Sequence, residues 1–489
     1  MQKNTIIKIV QWGIFIGIFI VTLLYSLKLA VIENRPPDGY DENMWTGASI
    51  TSYNMFFKGY IRDVTIVDGW FEQYAQQYHI NTRAMQKEEL QWYDNAIWTF
   101  GWKAPNVGKY LMGFAIVNFG NNVNPEGNFY HWNPDKTQNK WPGNYSPAEH
   151  VWLARVVNAI LNALGIGLLF FIGWYFINYT TGIVASLYLL FNETYMMSNT
   201  GAMLESSSIF FTILTIVLLM KFFQSFTKFS IKQNILYSIF IGISFSLAVG
   251  CKLNAGLIGY TITITFIVAG IFLWKKIKSQ PDNKEQKKKE KSEFQHQKQK
   301  YRQLFLNSIL SMAIIFSTTF AVFVGLHPHL RTDTVKKVQI IRESIDRFFD
   351  IRAQALGSKH IKDSFVESAS LFIKRNYIKT EDAYYGTFGK LLPLRFNPLD
   401  GIFIIVGLIG IIRLAIKEAK ANYLINHFAF FILFYAIYFW GLVDFLWIDW
   451  SRYHVPIYPM NALLVGISFS VIGKKLFEIM PLKSFLMRK

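Results

Sequence analysis

The sequence predicts an all-α polytopic membrane protein, and three observations predict it. The chain of 489 residues is 52% hydrophobic and only 17% charged, whereas soluble domains usually carry about 25% charged residues. Its apolar residues are gathered in runs of roughly the 20 residues that a helix needs to cross a bilayer. Lys and Arg are concentrated between alternate runs. We therefore expect a bundle of about ten transmembrane helices.

The first span, Thr5–Ile32, has no small-residue cleavage site after it, which predicts an uncleaved helix and not a signal peptide. Two of the predicted spans, Gly182–Met197 and Ser206–Met220, are short for a bilayer crossing. The other predicted spans are Val151–Ile177, Ile235–Val249, Leu257–Leu273, Leu304–Val324, Ile402–Ile416, Phe428–Val443 and Val455–Val471.

The orientation follows from Lys and Arg, which stay on the cytoplasmic side of short loops. With the N-terminus inside, the inner segments contain 24 basic against six acidic residues, a difference equal to the net charge of +18. These segments are 1–8, 221–232, 275–302, 413–420 and 474–489. Membrane topology thus explains the charge, and no nucleic acid partner is expected. Cys251 is the single cysteine, so no disulfide can form within the chain.

Two transmembrane modules are expected, 1–274 and 304–489, joined by a lysine-rich cytoplasmic segment, 275–303. We interpret this segment as a disordered linker and not as a binding site for nucleic acid or anionic lipid. The first module includes a long extracytoplasmic loop, 33–148, and the second includes another, 326–398. In the first loop a turn at Pro105 precedes an amphipathic helix that is expected to lie along the bilayer surface, because Trp and Tyr favour the headgroup level.

Ionisable residues fall at the outer ends of the predicted spans. An ionisable group at membrane depth costs roughly 2.5–3.5 kcal/mol on insertion scales, so such groups usually line a site. Each residue alone has a structural explanation: Lys252 and Arg452 can snorkel to the interface, and Glu205 suits a helix start. Their shared side predicts a functional site. The residues are Asp41, Glu42, Glu205, Lys252, His327, His329 and Arg452.

Several of these stretches resemble one known family. YDENMW is similar to the Asp-Glu motif of the protein O-mannosyltransferases and the lipid A aminoarabinose transferases, members of the C-type glycosyltransferase (GT-C) superfamily. GWKAPNVGK resembles the mannosyltransferase His-Pro-Pro-Leu-Gly-Lys stretch, with Lys103 at the His position. LARVVNAILNALG resembles a span that opens with arginine, here Arg155. In SNTGAMLESSS, Glu205 stands at the family's Asp position and Thr200 near its Arg position. SRYHVPIYP resembles the Arg-Tyr-x-x-Pro start of a late span.

The resemblance implies a GT-C-type bundle that transfers a sugar, mannose or a related hexose, from a polyprenyl-phosphate donor to an acceptor hydroxyl outside the cytoplasm. Asp41 is the candidate general base, with Glu42 orienting it or sharing a metal, and Glu205 is the next candidate. Candidate cations for the donor phosphate are Lys103, Lys109, Lys252 and Arg452. No cofactor is certain from the sequence; a divalent metal ion would be held by His327 and His329 with Glu205 or Glu42.

The acceptor stays open between protein, glycan and glycolipid, because the chain has no carbohydrate-binding β-trefoil domain in its later loop. We expect the cytoplasmic membrane of a bacterium or archaeon and not the endoplasmic reticulum. The alternatives are a polytopic transporter or flippase, or a ligase of lipid-linked glycans. Transporters place polar groups near the bilayer midplane in internally repeated halves, and this chain shows neither feature.

Overall fold

The computed structural model describes residues 2–31, 41–58, 106–124, 146–279, 288–327, 330–331, 364–378, 398–420, 426–445 and 454–479. Within these ranges every regular element is a helix, which confirms the predicted all-α fold. The α-helices are α1 (Gln2–Val31), α2 (Asp41–Phe57), α3 (Val107–Phe119), α4 (Ala148–Ile172), α5 (Tyr179–Phe191), α6 (Glu193–Thr200), α7 (Glu205–Ser225), α8 (Ile231–Cys251), α9 (Leu257–Lys278), α10 (Lys288–Leu326), α11 (Phe365–Ile373), α12 (Pro398–Lys420), α13 (His427–Phe445) and α14 (Tyr458–Ile479).

Nine helical segments of the described chain are long and apolar enough to cross a membrane. They correspond to α1, α4, α7, α8, α9, α10, α12, α13 and α14. The predicted span Gly182–Met197 is instead divided between two short helices, α5 and α6, which meet at Asn192. The Asn192 side chain accepts a hydrogen bond from the Tyr195 N–H at 2.8 Å, so it caps the start of α6. This cap is the local reason for the break.

The expectation of a disordered lysine-rich linker is wrong for residues 275–278, which are the end of α9, and for the part from Lys288 onward. This part is the beginning of α10, a helix of 39 residues that continues without a break to Leu326. The long helix carries many Lys, Gln and Glu residues in its first half, and all three are good helix formers. Residues 280–287 lie outside the described ranges.

Two ends of the bundle differ in character. We call one of them the site end. It consists of the starts of α2, α3, α4 and α7 and the ends of α8 and α10, which contact one another. The opposite end, called the basic end, contains the ends of α7, α9, α12 and α14, the starts of α8 and α13, and the first half of α10. Buried apolar side chains of α4 to α10 and α12 to α14 form one continuous core between the two ends.

Close backbone approach holds α3 against its neighbours at the site end. A Cβ at Gly113 of α3 would lie 2.2 Å from the Ser49 carbonyl oxygen of α2. A Cβ at Gly250 of α8 would lie 2.6 Å from the Val107 side chain of α3. Only glycine permits contacts this short, so these two residues let α3 lie directly against α2 and α8.

Candidate active site at one end of the helix bundle

Glu42 is an anchor in the first turn of α2. Its side chain is fully buried, and its two oxygens accept hydrogen bonds from the Arg155 Nε at 2.9 Å and the Arg155 Nη2 at 2.5 Å. The Ala202 backbone N–H also donates to Glu42 Oε1, at 2.7 Å. A buried carboxylate needs such partners, because an uncompensated charge in the interior is strongly unfavourable. The contacts tie α2 to α4 and to the turn before α7. Asp41 is the first residue of α2, and its side chain lies outside the described atoms.

Asn158, which our sequence reasoning missed, holds the turn that precedes Glu205. Its side-chain amide donates to the Gly201 carbonyl at 2.5 Å and to the Met203 carbonyl at 2.7 Å. Its own carbonyl accepts from the Ser206 hydroxyl at 2.8 Å. The sequence did contain a signal: Asn158 follows Arg155 by three residues, so both lie on one face of an otherwise apolar helix.

Glu205 and Lys252 form an ion pair. The Lys252 Nζ lies 2.9 Å from Glu205 Oε1, with the Lys252 side chain 23% exposed and the Glu205 side chain 6% exposed. Glu205 is the first residue of α7, where the helix dipole favours a carboxylate. Lys252 directly follows α8. The sequence assigned these residues to a base and to a phosphate site separately, and the fold brings them together.

Lys109 lies in the first turn of α3 with its side chain fully buried, although the sequence predicted a surface helix. Burial lowers the pKa of Lys109 to about 7, because the charged ammonium loses its hydration. Near neutral pH this amine is therefore protonated in only part of the molecules, whereas an exposed lysine is fully charged.

His327 follows α10 and contacts the residue that precedes α3. Its Nε2 accepts the Asn106 backbone N–H at 3.1 Å, and its Nδ1 lies 2.6 Å from the Phe323 carbonyl. This pattern corresponds to a neutral ring with its proton on Nδ1. Burial lowers the pKa of His327 to about 4. The hydrogen bond to the Phe323 carbonyl raises this pKa, and the positive charge of the nearby Lys109 lowers it further. Both ring nitrogens thus have backbone partners.

The metal expectation stays a prediction. Among the described residues, no group of three or more His, Cys, Asp and Glu side chains is arranged to hold a metal ion. Three of the predicted site residues, Lys103, His329 and Arg452, lie outside the described residues.

A second buried polar cluster, also missed from the sequence, surrounds the segment after Arg452. His454 is buried and stacks on Phe372 at 4.7 Å between ring centroids. The Asn376 side-chain amide donates to His454 Nδ1 at 2.7 Å, and the Tyr458 hydroxyl donates to Asn376 Oδ1 at 3.0 Å. Asn376 belongs to a π-helical turn, Lys374–Ile378. The cluster fastens the start of α14 to α11.

Asp400 belongs to the same neighbourhood at the start of α12. Its side chain is buried and interacts electrostatically with Tyr188 near the end of α5. The signal in the sequence was a carboxylate two residues before a predicted span, in NPLDGIF.

The chain is similar to solved structures of an archaeal oligosaccharyltransferase, AglB from Archaeoglobus fulgidus. One, in complex with an inhibitory peptide and a dolichol-phosphate, shares 11% identity and a TM-score of 0.48 over 94% of this chain and 50% of the other. The apo form shares 10% identity and a TM-score of 0.47 over 96% of this chain and 52% of the other. The chain therefore spans about half the length of these structures. No curated protein matches it.

A family comparison confirms the resemblance to the C-type glycosyltransferases. The family described as dolichyl-phosphate-mannose-protein mannosyltransferase matches residues 74–325, slightly more than half of the chain. The match includes Lys109, Arg155, Glu205 and Lys252. By this match the chain belongs to the dolichyl-phosphate-mannose-protein mannosyltransferase family.

Proposed function

We propose that the protein is a multi-pass membrane glycosyltransferase that transfers a hexose from a polyprenyl-phosphate donor to an acceptor hydroxyl. The family's description makes a dolichyl-type phosphate carrying mannose the first donor to test and a protein the first acceptor. The reaction takes place on the extracytoplasmic side, where the positive-inside pattern puts the site end.

One observation carries the proposal: two separate ion pairs converge at the site end. The Glu42–Arg155 pair fixes the turn of α2 that begins with Asp41, and the Glu205–Lys252 pair stands at the start of α7. Ala202, whose N–H donates to Glu42, precedes Glu205 by three residues, so both ion pairs belong to one region.

In the proposed step, the acceptor oxygen bonds to the anomeric carbon of the donor sugar. The bond from that carbon to the phosphate oxygen breaks, and the polyprenyl phosphate leaves with the bonding electrons. Asp41 takes the proton from the acceptor hydroxyl, a contribution worth typically about 10²–10⁴-fold in rate. Glu42 acts as a positioning residue, because its oxygens already bind Arg155 and Ala202.

Cations stabilise the leaving phosphate in this proposal. Lys252 is the best placed of the described candidates, since its ammonium is partly exposed and is oriented by Glu205. Lys109 is a weaker candidate than the sequence suggested, because burial lowers its pKa to about 7. Lys103 and Arg452 stay proposals from the sequence alone, and so does a divalent ion held by His327 and His329 with Glu205 or Glu42.

The test is sugar transfer by purified protein in nanodiscs, with a panel of labelled polyprenyl-phosphate sugars and peptide, glycan and glycolipid acceptors. Asp41→Asn keeps the size of the side chain but cannot take a proton near neutral pH. We expect its turnover to fall by roughly 10²–10⁴-fold with little change in donor affinity. The matched control is Asp444→Asn, which changes an exposed carboxylate at the end of α13 and should keep wild-type turnover.

Two results would count against the proposal in different ways. If wild-type protein transferred no sugar from any donor, the glycosyltransferase function would be wrong and a transporter would become the better explanation. If Asp41→Asn kept turnover within a few-fold of wild type, Asp41 would not be the base, and Glu205 would be tested next.

A further inference from the structure

We propose that α9 and α10 form a binding site for an anionic phospholipid at the basic end, separate from the proposed catalytic region, which reverses the interpretation of residues 275–303 made from the sequence alone. Two glycines of α9 define the register of the two helices. A Cβ at Gly259 would lie 3.7 Å from the Phe316 ring, and a Cβ at Gly270 would lie 3.6 Å from the Phe305 ring. Gly270 follows Gly259 by eleven residues, and its contact Phe305 precedes Phe316 by eleven residues. The two helices therefore run antiparallel in a constant register.

This register brings two groups of cations to one level. It pairs Lys275 with Lys300, while Arg302 lies two residues nearer the site end and Lys278 three residues farther from it. At 1.5 Å per residue these charges fall within about 8 Å along the helix axes. Their side chains, with that of Lys276, are exposed. Along the helix axes this separation does not exceed the screening length of about 8 Å in physiological salt, so the charges contribute to one positive potential at this level.

Aromatic side chains place the cations at the height of lipid headgroups. The Lys276 Nζ lies 5.5 Å from the Phe272 ring centroid, and the Lys278 Nζ lies 5.4 Å from the Trp274 ring centroid. Trp274 is 54% exposed at the end of an apolar helix, the position that tryptophan favours at a membrane interface. Each ammonium is therefore held beside the interface and not extended into water.

An exposed apolar surface adjoins the cations on the side toward the bilayer. It is formed by both helices and can accommodate the acyl chains of the lipid whose phosphate contacts the cations. The exposed residues are Ile267, Val268 and Ile271 on α9 with Leu306, Ile309 and Leu310 on α10. A nucleic acid or an acidic peptide would use the charges and leave this apolar surface uncovered. The combination favours a phospholipid.

The charge around the site supports the same partner. Among side chains that the structure describes, the exposed carboxylates are Glu193 on α6, Glu367 on α11 and Asp444 near the end of α13, none of which belongs to the basic end. At the basic end Glu418 is buried and pairs with His427. Basic surfaces between transmembrane helices are known to bind anionic headgroups.

The test uses delipidated protein in neutral detergent, titrated with phosphatidylglycerol or phosphatidylcholine and followed by native mass spectrometry. The site variant changes Lys275, Lys276, Lys278, Lys300 and Arg302 to Gln. The matched control changes five other exposed lysines of the basic end to Gln, namely Lys228, Lys232, Lys417, Lys420 and Lys474. Thermal unfolding of both variants checks that the fold is retained.

We expect wild-type protein to prefer phosphatidylglycerol by about tenfold, the site variant to lose this preference, and the control to keep it within about twofold. An equal loss in the control would mean that only diffuse charge attracts the lipid, and the proposal would be wrong. The same holds if wild-type protein shows no preference. Inorganic phosphate and single-stranded DNA serve as competitors, and displacement of the lipid by either at equal concentration would also overturn the assignment.

Discussion

The buried Glu42–Arg155 pair gives the sharpest stability prediction. Glu42→Gln keeps the size of the side chain and one carbonyl oxygen that can still accept the Ala202 N–H bond. What it removes is the negative charge opposite Arg155, a residue that is only 6% exposed. The substitution therefore removes the ion pair and one of its two hydrogen bonds to Arg155, and keeps the Ala202 contact.

The expected loss is large because the remaining guanidinium is left buried and uncompensated. Removal of one partner of a buried pair costs about 3–5 kcal/mol of unfolding free energy. The Glu205–Lys252 pair offers the comparison, since its lysine side chain is 23% exposed. Lys252→Gln also leaves a carboxylate that is only 6% exposed without its partner, but water reaches the lysine end of this pair, so we expect a smaller loss than for Glu42→Gln.

Denaturant titration and thermal unfolding of both single variants in detergent would measure these values. The double variant Glu42→Gln with Arg155→Met removes the buried charge as well, so it should recover most of the lost stability. A loss below about 1 kcal/mol for Glu42→Gln, or an equal loss for Lys252→Gln, would refute the reasoning. So would a double variant no more stable than the single one.

Further predictions follow from single side chains. Lys252→Ala should raise the apparent donor KM by about tenfold, because a charge-assisted phosphate contact is lost. The control is Lys232→Ala, which changes an exposed lysine at the other end. Unchanged donor kinetics in Lys252→Ala would remove Lys252 from the phosphate site. Since burial lowers the pKa of Lys109 to about 7, the unfolded chain binds more protons from about pH 7 to pH 10, and stability should rise over that window. Lys109→Met should flatten the rise in pH-dependent unfolding, and an identical slope would contradict the assignment. Gly113→Ala should cost about 1–3 kcal/mol, because its Cβ would lie 2.2 Å from a carbonyl oxygen of α2. Gly17→Ala, where a Cβ meets nothing within 4 Å, should cost nothing measurable in the same thermal unfolding assay.

The sequence by itself determined the class of protein, most of the spans and the residues that gather at one end. These properties depend on local facts: a bilayer requires about 20 apolar residues per helix, and the charges that flank each run are adjacent to it in sequence. The motif around Asp41 and Glu42 was likewise visible, because it is contiguous. The break at Asn192 was not, since a capping side chain within an apolar run differs little from any other polar residue there.

Only the tertiary structure decided which charges meet. Glu42 and Arg155 are 113 positions apart, and Glu205 and Lys252 are 47 apart. Each was assigned from the sequence as a separate group, because a span pattern gives the height of a residue in the membrane but not the helix that it faces. The burial of Lys109 has the same origin: Gly113, four residues later on the same face of α3, contacts α2, so this face is covered by other helices. Helix neighbours are selected by long-range packing of side chains, and that information is distributed over the whole chain.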